Sequence, residues 1–209
     1  MNQDTVERIK ASGLIAIVRG TFTVEKLVDI AQTLQQAGLT CMETTLNTTD
    51  ALHAINQLHL LMGNRMLIGA GTVRTAVQFQ TAVSAGAQFT VAPNYDPATI
   101  QLAQIQEILH LPGIFTPSEA QIAYAAGCPL LKLFPASIVG PQYLKALRAP
   151  LDDIGFVPTG GINANNIGVY RRAGAVAVGI GSALITDANQ SKADLYKRAV
   201  TLRQAWDRA

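Results

Sequence analysis

The tetrads QAGL (36–39), SAGA (84–87), AAGC (125–128) and RAGA (172–175) share an Ala-Gly step, and each runs directly into an apolar stretch. A helix that closes on a left-handed C-cap leaves this pattern, so each tetrad reads as a helix handing over to a strand, with Gly38, Gly86, Gly127 and Gly174 as the caps. Strand-like runs recur along the chain: LIAIV (14–18), CMETTL (41–46), RMLIGA (65–70), FTVA (89–92), LPGIF (111–115), LLKLF (130–134), GFVP (155–158) and AVAVGI (175–180). Between them lie helix starts. Thr75 has Gln78 at capping-box spacing, and Asp96-Pro97 offers an N-cap with proline at N1. Thr116, Pro117 and Glu119 combine all these signals, and Asn163 is the cap expected for the next helix. Leu27, Ile30, Ala31 and Leu34 recur at the spacing of a core-facing helix.

Eight such strand–helix units in 209 residues predict an α/β fold, a single-domain (β/α)8 TIM barrel over residues 1–209. A short N-terminal helix before residue 12 is expected to cover its bottom. A doubly wound open sheet fits less well, because eight units fill the chain and no G-x-G-x-x-G follows the first strand. The apolar share, 49%, against 14% charged residues supports a large core. A net charge of +2 with no basic run argues against nucleic acid as a partner, and Arg171-Arg172 reads as a solvated helix face. No signal peptide is visible and no apolar run approaches the roughly 18 residues of a membrane helix, so a cytoplasmic protein away from membranes is expected. Cys41 and Cys128, without metal-ligand spacing, read as buried free thiols, with a bridge between them left open.

In a barrel of this kind the active site gathers at the C-terminal ends of the strands. Lys132 lies in the apolar sixth run, where an unpaired charge is costly to bury. From that stretch alone, a snorkelling or salt-bridged lysine stays open. Alternation puts Leu130, Lys132 and Phe134 on one face, and gives the same choice for Cys41, Glu43 and Thr45 of the second run. If both sets face the axis, Lys132 and Glu43 share a cavity. A lysine in apolar surroundings loses its proton easily, and its free amine can attack a carbonyl to form a Schiff base. Glu43 would then move protons, with no metal and no cofactor. The histidines His53, His59 and His110, placed on helices or a loop entry, read as packing or surface residues.

The last two units supply glycine turns, Gly160-Gly161 in PTGGI and Gly181-Ser182 in GIGSAL, where barrels of this class bind phosphate. Gly160-Gly161 as a mere tight turn is the alternative. Thr72, in GAGTV, offers a hydroxyl to a substrate carboxylate. Arg19 ends the first run and can bind either anionic group, a solvated arginine being an equal reading.

LIAIVRG, METTLN, IGAGTV, PGIFTPSEA, LKLFPAS, GPQYLKAL, PTGGI and GIGSAL, in this order, resemble the class I 2-keto-3-deoxy-6-phosphogluconate (KDPG) / 4-hydroxy-2-oxoglutarate (KHG) aldolases, which include 6-phosphogalactonate (KDPGal) aldolases. The resemblance implies Lys132 as the Schiff-base lysine and Glu43 as the acid/base. It implies Thr72 at the pyruvyl carboxylate, and Gly160, Gly161, Gly181 and Ser182 at the phosphate. It also implies a homotrimer, with a phosphorylated 2-keto-3-deoxy sugar acid and pyruvate as small-molecule partners. Arg19, Asn47, Phe134 and Thr159 complete the expected substrate-binding set. Asn47 stands where many gluconate-type members carry an arginine, and Asn47, the arginine of IVRG and GPQYLKAL look galactonate-like. Thr159 matches the gluconate type, where the galactonate type tends to carry valine. The expectation is cleavage of KDPG to pyruvate and glyceraldehyde 3-phosphate, with KDPGal cleavage as the alternative. A phosphate-site isomerase, a thiamine-phosphate-type synthase and a non-catalytic phosphosugar-binding barrel are the rival readings; none of them needs Lys132 beside Glu43.

Overall fold

The computed structural model describes residues 2–209. Helices and strands alternate along it: α1 (Gln3–Ser12), β1 (Leu14–Val18), α2 (Val24–Gln36), β2 (Cys41–Thr45), α3 (Ala51–Met62), β3 (Leu67–Gly71), α4 (Ala76–Ser84), β4 (Phe89–Val91) and α5 (Pro97–Ile105). They continue as β5 (Leu109–Leu111), β6 (Gly113–Ile114), α6 (Pro117–Ala125), β7 (Leu130–Leu133), α7 (Ala136–Arg148), β8 (Gly155–Pro158), α8 (Ile167–Arg172), β9 (Val178–Ile180) and α9 (Lys192–Asp207). All strand pairs are parallel. They form a curled six-stranded sheet, β5-β4-β3-β2-β1-β9, and a three-stranded sheet, β6-β7-β8.

The expected continuous eight-strand ladder is therefore interrupted at two seams. The first falls inside the fifth run, which starts at Leu109 rather than Leu111 and is split by Pro112. Proline has no N–H to give to a ladder, so β5 pairs back to β4 and β6 pairs forward to β7. The Pro112 carbonyl still accepts from the Lys132 N–H at 2.9 Å. At the second seam, β8 meets β9 through a single bridge, Thr159 to Gly179. The earlier start also moves His110 from a loop entry onto a strand, where it is buried.

Two apolar clusters show how strand alternation sorts the side chains. Ile15, Cys41, Leu67, Phe89, Leu109, Leu130, Val157 and Ala177 pack together inside the curled sheets, closed below by Val6 and Ile9 of α1. The N-terminal helix covers the bottom, as expected. Ala16, Met42, Ile68, Leu131, Leu133 and Phe156 point the other way, into the helix layer with Leu27, Ile30 and Leu34 of α2. The inner face of β7 is thus the Leu130 face, and that of β2 is the Cys41 face. One step further along those faces stand Lys132 and Glu43.

The caps form largely as expected. Thr75, Asp96 and Thr116 each accept a hydrogen bond from the N3 backbone N–H, and Thr116 with Glu119 completes a reciprocal box. Asn163 does not cap α8. Its Oδ1 accepts from the Asn165 N–H at 2.9 Å, closing a local turn, and the helix begins three residues later after Asn166. Arg171 also departs from a solvated reading: its guanidinium lies 5.1 Å from the Trp206 ring centroid and ties α8 to α9. Both cysteines are buried free thiols. No described helix is long and apolar enough to cross a membrane.

Candidate active site

Lys132 is held by both neighbours of β7, its Cα paired with Gly113 on one side and Val157 on the other. Its side chain rises from the inner face with Nζ 4.9 Å from the Phe134 ring centroid. Glu43 rises from the inner face of β2, next to Ile17 of β1 and Gly69 of β3 in register. Lys132 is 4% exposed and Glu43 1%, yet neither joins an ion pair among the described residues. Burial pushes the Lys132 ammonium below its ordinary range; Glu43 opposes this and Arg19 adds to it. Burial pushes the Glu43 carboxyl above its ordinary range, against the pull of Lys132 and Arg19. Oε1 of Glu43 is buried without a hydrogen-bond partner. Burial thus biases both groups toward their uncharged forms.

The glycine turns form the other wall. Gly160 and Gly161 have φ of 99° and 74°, a left-handed backbone that glycine adopts without strain. A side chain at Gly161 would also meet Ser137 Cβ at 2.7 Å. A side chain at Gly181 would meet nothing within 4 Å, so its backbone lies open to the cavity. Beyond it the chain makes one turn, Ile185 N–H to the Gly181 carbonyl at 3.0 Å, in place of a regular helix. Thr159 is buried above its bridge to Gly179, and its Oγ1 makes only a long 3.4 Å bond to the Val157 carbonyl.

Arg19, Lys132, Phe134, Thr159, Gly160, Gly161, Gly181 and Ser182 together line a cavity of about 320 Å³. Glu43 is buried and is not part of that lining. Asn47 is exposed in the turn after β2, outside that wall. Thr72 is half-buried at the end of β3, also outside the wall, with φ of 60°, an outlier for a β-branched residue. The structure adds Ile17, Ile162, Ile185 and Thr186 to the lining. Ile17 was readable as the inward partner of Ile15, whereas Thr186 lies in irregular chain that carries no period. Among the described residues no group of His, Cys, Asp and Glu is arranged to hold a metal ion.

A family model for aldolases, described as KDPG and KHG aldolase, matches residues 6–200. The chain belongs to the KDPG and KHG aldolase family. It is 35% identical over 197 residues to the 2-dehydro-3-deoxy-6-phosphogalactonate aldolase of Escherichia coli, covering 94% of this chain and 95% of that one. It is 40% identical over 152 residues to the 2-dehydro-3-deoxy-phosphogluconate aldolase of Pseudomonas aeruginosa, covering 71% and 69%. A solved KDPGal structure superposes with a TM-score of 0.89 at 34% identity, over 93% of this chain and 94% of that one. This KDPG and KHG aldolase family member is a lyase whose buried Lys132 lines a cavity edged by glycine backbone.

Proposed function

We propose that this aldolase works through a Schiff base on Lys132, cleaving 2-dehydro-3-deoxy-6-phosphogluconate to pyruvate and glyceraldehyde 3-phosphate, and accepting 4-hydroxy-2-oxoglutarate. The observation that carries the reading is the placement of Lys132 and Glu43, both buried on inner strand faces and close enough to perturb each other's charge, with Lys132 lining the cavity. The neutral amine attacks the C2 carbonyl, and Glu43 protonates the departing hydroxyl as the carbinolamine loses water. The resulting iminium accepts the electron pair of the C3–C4 bond while the C4 hydroxyl gives up its proton, releasing the aldehyde and leaving an enamine. Protonation at C3 and hydrolysis of the imine return pyruvate and the free lysine.

Gly160, Gly161, Gly181 and Ser182 bind the phosphate with backbone N–H groups and the Ser182 hydroxyl. Arg19 and Thr72 serve the carboxylate end, and Phe134 walls the amine. Thr159 sets the C4 preference, because its hydroxyl is buried at the cavity with only a weak internal bond.

A second reading, preference for the galactonate epimer, is favoured by Asn47. We place it second because Thr159, which matches the gluconate type, lines the cavity, whereas Asn47 does not. The enzyme is proposed to act in the cytoplasm as a homotrimer, with residues 1–209 as one catalytic domain whose two sheets close into a single eight-unit barrel at the Pro112 and Thr159 seams.

Pyruvate with borohydride tests the mechanism. Inactivation with a reduced adduct on Lys132, and loss of turnover in Lys132→Ala, are expected. An adduct on Lys145, an exposed residue of α7, or no adduct at all, overturns the assignment.

A further inference from the structure

The inner face of β3 carries no side chain at its last two inward positions, Gly69 and Gly71. Neither has a left-handed φ, so an alanine at either would strain no backbone. What excludes a side chain is a neighbour. At Gly69 the Phe89 ring fills the space, its Cε2 2.7 Å from where a Cβ would stand. At Gly71 the neighbour is the Glu43 carboxylate: a Cβ would collide with Oε1, and would lie 2.8 Å from Cδ and 3.0 Å from Thr45 Cγ2. Glu43 on β2 therefore leans across the end of the adjacent strand, into space that the missing side chain provides.

We propose that Gly71 is a positioning residue for Glu43, its bare backbone forming the slot that keeps the carboxylate over β3 and out of ion-pairing distance of Lys132. The proposal rests on the reading of Lys132 as the nucleophile. The sheet order puts β7 across the interior from β2 and β3, so a group pushed off the β3 backbone moves toward the axis and toward Lys132. Charged and titratable groups facing Lys132 are Glu43 from β2 and Arg19 at the end of β1; Cys41 lies below Glu43 on the same face. Only Glu43 can hold the lysine protonated. Closing their separation strengthens that attraction steeply in a low-dielectric site, and the amine would then be free only at higher pH.

The experiment measures borohydride trapping of pyruvate against pH, together with thermal unfolding. Gly71→Ala should raise the midpoint at which the amine becomes trappable by about one pH unit, equal to a roughly ten-fold slower trapping on the acid side. In the Glu43→Gln background, where the displaced group carries no charge, Gly71→Ala should leave the midpoint unmoved. An unchanged midpoint in Gly71→Ala that still traps pyruvate overturns the proposal. Should Gly71→Ala fail to fold, the double variant Glu43→Ala/Gly71→Ala decides: recovery of the unfolding temperature supports the slot, and a chain that stays unfolded refutes it. A wild-type protein that traps no pyruvate defeats the Schiff-base reading instead, and the unfolding comparison still judges the slot.

Discussion

Glu43 is the residue whose chemistry depends most on its surroundings. Its carboxyl is buried with Oε1 left without a hydrogen-bond partner, and burial pushes it above its ordinary range. Glu43→Gln keeps the shape and removes the titrating proton. Its kcat should fall about 10²–10⁴-fold while pyruvate is still trapped slowly; steady-state kinetics beside a trapping assay would show it, and a near-wild-type kcat would assign the proton to water or another group. Thr159 is the second residue to test. A hydroxyl that bonds the C4 oxygen in one configuration contributes roughly 0.5–1.5 kcal/mol, so the epimer preference should be about ten-fold at most. Both epimers should be cleaved, the gluconate-derived one faster, with Thr159→Val shifting the kcat/KM ratio toward the galactonate. A wild-type preference for the galactonate epimer would hand control to Asn47 and its neighbours.

At the scale of elements, local signals worked where the partners lie within one turn. Thr116 and Glu119 exchange hydrogen bonds with each other's backbone, Glu119 Oε2 also accepting from the Thr116 hydroxyl at 2.9 Å. Thr116→Ala should destabilise the protein by about 1 kcal/mol, read from denaturant unfolding, with kcat unchanged because α6 supplies no residue to the cavity wall. Asn163 shows the limit of the same signal. An Asn side chain can cap a helix or close a turn, and here the turn won because Asn166 donates back to the Gly161 carbonyl at 2.8 Å, holding the loop against the glycine turn. The Pro112 break is legible once the parallel ladder is known: a strand that must donate on both sides cannot carry proline without a seam.

For the molecule as a whole, acid should act through His110. Its ring sits on the outward face of β5, bonded by Nδ1 to Thr90 Oγ1 at 2.8 Å and edge-on to Phe79 of α4 at 6.1 Å. Burial lowers its pKa from 6.5 to about 4, against a small opposing pull from Asp96. The unfolded imidazole takes a proton near its ordinary value and the folded one resists, so the unfolded state binds more protons between those limits. Stability supplied by the neutral ring is thus full above about pH 6.5 and drains away as pH falls toward about 4, by at most about 3 kcal/mol. His110→Asn, which keeps a group for Thr90 but cannot titrate, should flatten that part of the profile. Urea midpoints of both proteins at about pH 7.5 and about pH 5 would measure the difference, and parallel slopes would discount His110.

The alternation of apolar runs with Ala-Gly helix endings already dictated a parallel α/β chain, because periods of two and of 3.6 are written in consecutive residues. The same alternation put Lys132 on one face with Leu130 and Glu43 on one face with Cys41, and the structure turns both faces inward. Tertiary structure alone decided what those faces meet. That Glu43 lies against Gly71, that Gly181 opens to the cavity while Gly161 backs onto Ser137, and that Ile162, Ile185 and Thr186 join the wall all depend on chain segments distant in sequence. The seam at Pro112 and the burial of His110 depend on which strands flank the fifth run. Such contacts follow from closing a sheet on itself, and no local period records them.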